Sequence, residues 1–189
     1  MLEYHPSLVA TFFKPKPMPQ LRFSVAVVIE RVPLANRWVS EQWRVAAIEV
    51  DASPPAPARK QSDDVTGTRW RFPGQFIELH RSESEGYYLN ITSPEPKVFV
   101  MWRVAETDSA DDREPRARPH LVTVSYNEAA RLLDGGEQVD AAPLPPEIRA
   151  WMEPFVAEHY RPEPKRKVRR NDLYERDGRG RASERKVDR

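Results

Sequence analysis

The sequence predicts a mainly β, α+β fold: a small antiparallel barrel or sandwich of about seven strands, with a short helix and a C-terminal capping helix. Three observations lead there. Seven short runs between residues 21 and 126 have strand character, alternating or rich in β-branched and aromatic side chains. Gly, Pro, Ser or Glu bounds each run, and the connections are too short for the crossover helices that parallel strands require. Helical periodicity begins only after these runs, so helices should cover a finished sheet instead of alternating with strands.

Taken in order, LRFSVAVVIE (21–30) places Phe23, Val25, Val27 and Ile29 on one face. WRVAAIEV (43–50) follows in the same manner. RWRF (69–72) sets Trp70 and Phe72 opposite Arg69 and Arg71, and QFIELH (75–80) reads as a further strand. GYYLNIT (86–92) alternates Tyr87, Leu89 and Ile91 with Tyr88, Asn90 and Thr92. In KVFVMWRV (97–104), Val98, Val100 and Trp102 oppose Phe99, Met101 and Arg103. Both faces are largely apolar, which suits a central strand with the core on one side and a helix on the other. HLVTVSY (120–126) is the last strand. Residues 51–67 and 105–119 are polar, Pro-bearing and without apolar period, so they read as loops.

Two helices close the domain. SYNE at Ser125 to Glu128 fits a capping box, and NEAARLLD then stops at Gly135, the expected C′ residue. In LPPEIRAWMEPFVAEHY, Ile148, Trp151, Met152, Phe155, Val156 and His159 form a helical stripe. Pro154 removes one helical hydrogen bond but shares the polar face with Glu147, Ala150 and Glu158, so the expected kink spares the packing. In shape this resembles pleckstrin-homology-like domains, a likeness of architecture that confers no function. The chain therefore divides into an extended N-terminal segment (1–20, with KPKPMPQ), a single β-rich domain (21–162) and a basic tail (163–189). The tail has too little apolar surface to offset the entropy of ordering and is expected to be disordered.

Composition excludes several chemistries. The 189 residues contain no cysteine, so there is no disulfide framework, thiolate nucleophile or zinc knuckle. His5, His80, His120 and His159 lack metal-binding spacing, and no metal or cofactor is expected. ELHRSESE gathers Glu78, His80, Glu83 and Glu85 around a turn, which reads as a solvated hairpin and not as a catalytic base. With seven glycines and no GxGxxG, GxxxxGK[ST] or GxSxG, a phosphate-cradling loop has little material. Glu3 and the short apolar run Leu8–Phe13 do not make an export signal, and nothing approaches the roughly 20 apolar residues of a membrane span, so a cytoplasmic protein is expected. Net charge is +1, but residues 161–189 hold 12 Lys/Arg against 6 Asp/Glu, leaving the body mildly acidic at 18 against 23.

Three features remain as candidate surfaces. In RVPLANRW, residues Arg31, Pro33, Asn36, Arg37 and Trp38 are too polar for a core strand yet offer an aromatic and two arginines, the types enriched at interface hot spots. The competing reading is a connection whose Trp38 plugs the barrel. Tyr88 and Asn90 fall on the more polar face of their expected strand and extend the candidate partner surface. In the tail, Lys165, Arg166, Lys167, Arg169 and Arg170 form a polyanion hook capable of weak nucleic-acid binding. Four of five tryptophans adjoin an arginine, which can signal stacking on single strands but on strands places Trp inside and Arg outside.

The segments VIERVPLANRWVSEQWRV (28–45), ELHRSESEGYYLNITSPEPKVFVMWR (78–103), VTVSYNEAARLLDGGEQVD (122–140) and PLPPEIRAWMEPFVAEHYRPEPKRK (143–167) resemble a proteobacterial family of uncharacterised proteins, a domain of unknown function. Genes of that family tend to lie beside those of molybdenum-dependent formate dehydrogenases and a TorD-like assembly chaperone. The resemblance implies a non-enzymatic accessory protein whose partners are formate dehydrogenase subunits or their assembly proteins. Some members carry the label of a molybdopterin-guanine dinucleotide biosynthesis protein, which makes a cofactor-handling enzyme the alternative. Guanylyltransferases of that pathway open on a Gly-rich LAGGxxxRMGxxK-type loop, which does not occur here, so no catalytic residue carries over. A weak nucleic-acid-binding module is the third possibility.

Overall fold

A computed structural model describes residues 21–105 and 114–162. The extended N-terminal segment (1–20) and the disordered tail (163–189) with its basic hook, all expected from sequence, lie outside the described residues. The elements run β1 (Arg22–Pro33), β2 (Glu41–Val50), β3 (Arg59–Asp64), β4 (Gly67–Glu78), α1 (Ser84–Ile91), β5 (Lys97–Val104), β6 (Ala117–Thr123), α2 (Tyr126–Asp134), β7 (Gln138–Pro143) and α3 (Pro146–His159). All strand pairs are antiparallel, in two sheets ordered β2-β1-β4-β3 and β6-β5-β7. The arrangement is sandwich-like and not a closed barrel, so the likeness to pleckstrin-homology-like domains stops at the strand count.

Alternation determines which faces meet. Val25, Val27 and Ile29 of β1, Trp70 and Ile77 of β4, and Val98, Val100 and Trp102 of β5 are buried in one core. Ile148, Met152, Phe155 and Val156 of α3 join it, as their helical spacing predicts, while Pro154 stays exposed. On the other face of β5, Phe99 packs edge-on against Tyr126 of α2 at 5.1 Å, so β5 is the doubly covered strand its sequence suggests. Ser125 caps α2 by accepting from the Glu128 N–H at 3.1 Å. Its hydroxyl in turn donates to Glu83 at 2.6 Å. Gly135 is the C-cap itself, one position earlier than expected, and Gly136 takes the left-handed conformation.

The seven strands are not the seven expected. RWRF and QFIELH form one strand, β4. The β1–β4 register jumps between Val25 and Val27, and the bulge swallows Pro73 and Gly74, which in the sequence look like a break. β3 (RKQSDD) falls within the expected loop 51–67, and β7 (QVDAAP) is a strand where the sequence suggested no element; both are edge strands with little buried surface, so neither alternates clearly.

GYYLNIT is helix α1 and not a strand. Its β-prone residues suit a sheet by propensity, but Gly86, Tyr87 and Asn90 lie on one helical face and are all buried. A Cβ on Gly86 would lie 2.2 Å from the Ser125 Oγ, so glycine is what lets α1 approach the start of α2. Tyr87 meets Phe155 of α3 at 6.1 Å, and Tyr88 meets Tyr160 at 4.9 Å. Asn90 therefore cannot contribute to a partner surface. It is 0% exposed and donates to the Lys97 and Val124 carbonyls at 2.7 and 2.8 Å while accepting from the Lys97 N–H at 2.9 Å.

Candidate partner-binding face

The connection between β1 and β2 is held open by its own hydrogen bonds. The Leu34 N–H donates to the Ser40 carbonyl at 2.9 Å, and the Trp38 N–H donates to the Asn36 side chain at 2.9 Å. This Asx-type turn pushes Trp38 outward, where it is 82% exposed. The Arg37 guanidinium sits over its ring, 4.8 Å from the centroid. Trp38 does not plug the domain. Val39 beside it is half exposed.

A second hairpin tip reaches the same end of the sheet, because β4 pairs with β1 at Arg31↔Thr68. In the β3–β4 turn, Asp64 accepts from the Thr66 N–H at 2.8 Å, leaving Val65 94% exposed. Gly67 turns with φ +149, and a Cβ there would lie 2.5 Å from the Arg31 carbonyl oxygen. Side-chain bulk at position 67 would force the two tips apart.

Between the tips is a groove of about 250 Å³ that includes Arg31, Pro33, Glu41, Asp63 and Asp64. Arg31 is held within it: it faces Glu41 at 3.8 Å, hydrogen-bonds Thr68 at 3.4 Å, and lies 5.5 Å from the centre of the Trp70 ring. Hydrogen bonds from Lys60 and then Thr68 hold the Asp63 carboxyl below the usual carboxylate range. The Thr66 hydroxyl does the same for Asp64. Both remain ionised at neutral pH. The end of the sheet thus presents an aromatic and two valines around a groove of mixed charge.

Of the residues proposed from sequence, Pro33, Asn36, Arg37 and Trp38 are exposed together; Arg31 lies half-buried among them. Asn36 works as the turn-former, and Arg37 as the platform for Trp38. Tyr88 is half-buried and elsewhere, against Tyr160. Val39 and Val65 were missed. The valine in DDVTG is a signal for an exposed tip only where RKQSDD is a strand, because Val65 then lies in the turn between β3 and β4.

The other Arg–Trp pairs divide across the sheets. Trp70 and Trp102 are buried, and Trp43 stacks on Trp70 at 5.2 Å. On the opposite face of the larger sheet, Glu30 is 6% exposed and binds Arg44 at 2.5 Å and Arg69 at 2.8 Å. Arg71 binds Glu49 at 2.7 Å and Asp51 at 2.8 Å. These arginines are engaged with carboxylates, and the indoles beside them face inward, away from any strand of nucleic acid. Among the described residues, no helix is long and apolar enough to cross a membrane, and no three His, Asp or Glu side chains converge as metal ligands.

Residues 24–169 match the model of a family described as a protein of unknown function (DUF3305), and the chain belongs to that family. No curated protein and no solved structure matches.

Proposed function

We propose that this DUF3305 protein is a non-enzymatic accessory protein that acts in the cytoplasm by docking a partner on the hairpin tips around Trp38. One observation carries the reading. A tryptophan is held 82% exposed by a turn whose hydrogen bonds give it no role in the core. Such a ring represents roughly 150–250 Å² of surface, and at about 25 cal/mol per Å² its burial by a partner would contribute on the order of 4–6 kcal/mol before the costs of association. Arg37, Val39 and Val65 supply the neighbours that exclude water around such an anchor.

The partner we propose is a molybdenum-dependent formate dehydrogenase or one of its assembly proteins. What supports this is the resemblance of four segments, in order, to proteins encoded beside that enzyme. The test is capture by the tagged full chain from cells producing the dehydrogenase. Recovery of its subunits or its chaperone, without catalysis by the purified protein, is expected. Turnover of GTP and molybdopterin by the pure protein would overturn the reading in favour of a cofactor-handling enzyme.

A further inference from the structure

The two sheets meet unequally along their edges. On one side β2 and β7 are joined, with the Val45 N–H donating to the Asp140 carboxylate at 2.8 Å. On the other side the seam between β4 and β6 is open. β3 pairs with β4 only as far as Arg71, and β6 pairs only with β5, so residues 72–78 of β4, paired with β1 on one side, have no paired strand on the other. Two cavities of about 270 and 200 Å³ lie along this seam and share Gln75. The first is bounded by Pro57, Phe72 and Arg118, the second by Phe76, Glu78, His120 and Glu128.

The register shows which backbone groups point into the seam. The Leu79 N–H donates to the Leu21 carbonyl at 2.9 Å, so Leu79, Ile77 and Gln75 direct their peptide groups toward β1. Phe76 and Glu78 therefore direct theirs outward. The Glu78 carbonyl accepts from the Tyr87 hydroxyl at 3.4 Å, which agrees with that direction. The Phe76 N–H and C=O and the Glu78 N–H have no protein partner among the described residues. The Phe76 side chain is 45% exposed beside them, under the Arg22 guanidinium at 4.1 Å. β6 cannot offer a continuous matching edge, since Pro119 has no N–H and a register shift lies beside it.

We propose that this seam binds an extended, basic segment of a partner protein, which adds to β4 as a further strand opposite Phe76. The occupant's conformation follows from the edge, because a residue opposite Phe76 would exchange two main-chain hydrogen bonds with it. Its charge follows from the walls. The second cavity is lined by the carboxylates of Glu78 and Glu128 and by no Lys or Arg. Glu78 is shared with Arg22 at 3.2 Å, whereas Glu128 has no ion-pair partner among the described residues. The added strand is short, because Pro55 packs against Gly74 and closes the edge above Gln75. The site is separate from the Trp38 tips and does not depend on the identity of the partner docked there.

The test is residue-resolved amide exchange on the full chain, with a short capped peptide alternating lysine and valine as probe and a glutamate–valine peptide as control. The lysine peptide should slow exchange at Phe76 and Glu78 at least tenfold, and the control should not. Phe76→Pro removes the outward donor and no bond to β1, so it should abolish the effect; Glu128→Gln, which leaves the backbone untouched, should weaken binding several-fold. No protection, or equal protection by both peptides, overturns the proposal. So does protection already present in the free chain that is lost on deleting residues 1–20, because the seam would then be occupied by its own chain.

Discussion

Replacing Asn90 by alanine tests the packing of α1 most sharply. The side chain makes three hydrogen bonds at 2.7–2.9 Å from a fully buried position, tying α1 to the start of β5 and to the segment between β6 and α2. Each such bond contributes about 1 kcal/mol net, and buried groups left without partners cost more than that. Alanine removes all three bonds and orphans the Val124 carbonyl together with both main-chain groups of Lys97. The expected loss is about 3–5 kcal/mol, a large part of the roughly 5–15 kcal/mol available to a domain. Urea unfolding followed by circular dichroism should show it as a lower midpoint with an unchanged slope, and thermal unfolding as a drop of roughly 10 °C. Asn90→Asp should cost at least as much at neutral pH, because a carboxylate would then face two carbonyl oxygens. A loss below about 1 kcal/mol for alanine would refute the account of α1 (Ser84–Ile91) as a helix locked in place by this side chain.

Two further predictions concern pH. Burial alone would raise the Glu30 carboxyl, but hydrogen bonds and charges from Arg44 and Arg69 hold it below its ordinary value. A depressed carboxylate adds stability that is present above its unfolded value near 4.5 and lost as pH falls through its folded one. Glu30→Gln should therefore cost about 1–2 kcal/mol at pH 7, a figure discounted because both guanidinium groups are more than half exposed, and the gap from wild type should close in acid titrations as pH falls through the lowered folded value. Burial pushes the Tyr87 hydroxyl up to about 12 from its usual 10. A raised group is stabilising below its unfolded value, so roughly 3 kcal/mol should be lost between pH 10 and 12 in denaturant titrations, and Tyr87→Phe should remove that dependence.

The β class was legible because the central strands satisfy two demands at once. Val25, Val27 and Ile29, and likewise Val98, Val100 and Trp102, alternate with the period of a strand and fill the core that the two sheets share. Elements with only one demand to satisfy were not legible. β3 and β7 are edges whose backbone pairs while their side chains stay near water, so RKQSDD carries the charges of a loop. GYYLNIT failed for the opposite reason. Tertiary contacts at Gly86, Tyr87 and Asn90 override a β-prone composition, and no local pattern reports that Asn90 will find two carbonyls across the fold. Exposure on the candidate partner face was legible only in part. Aromatic and arginine content marked Arg37 and Trp38, but Val65 joins them only through the β1–β4 pairing, which links distant positions in the chain.

The most direct test of the docking account is the affinity of the purified dehydrogenase, or of its assembly chaperone, for the full-length wild type and for Trp38→Ala, measured by titration calorimetry beside a thermal melt of each variant. Trp38 is almost fully exposed and its ring makes no core contact, so the melting temperature should stay within about 2 °C of wild type, as for surface substitutions generally. Affinity should fall at least thirtyfold, the size of a loss of about 2 kcal/mol at an anchoring aromatic. Equal affinity for the two proteins, or no binding by the wild type, would contradict the claim that this tryptophan is presented for a partner.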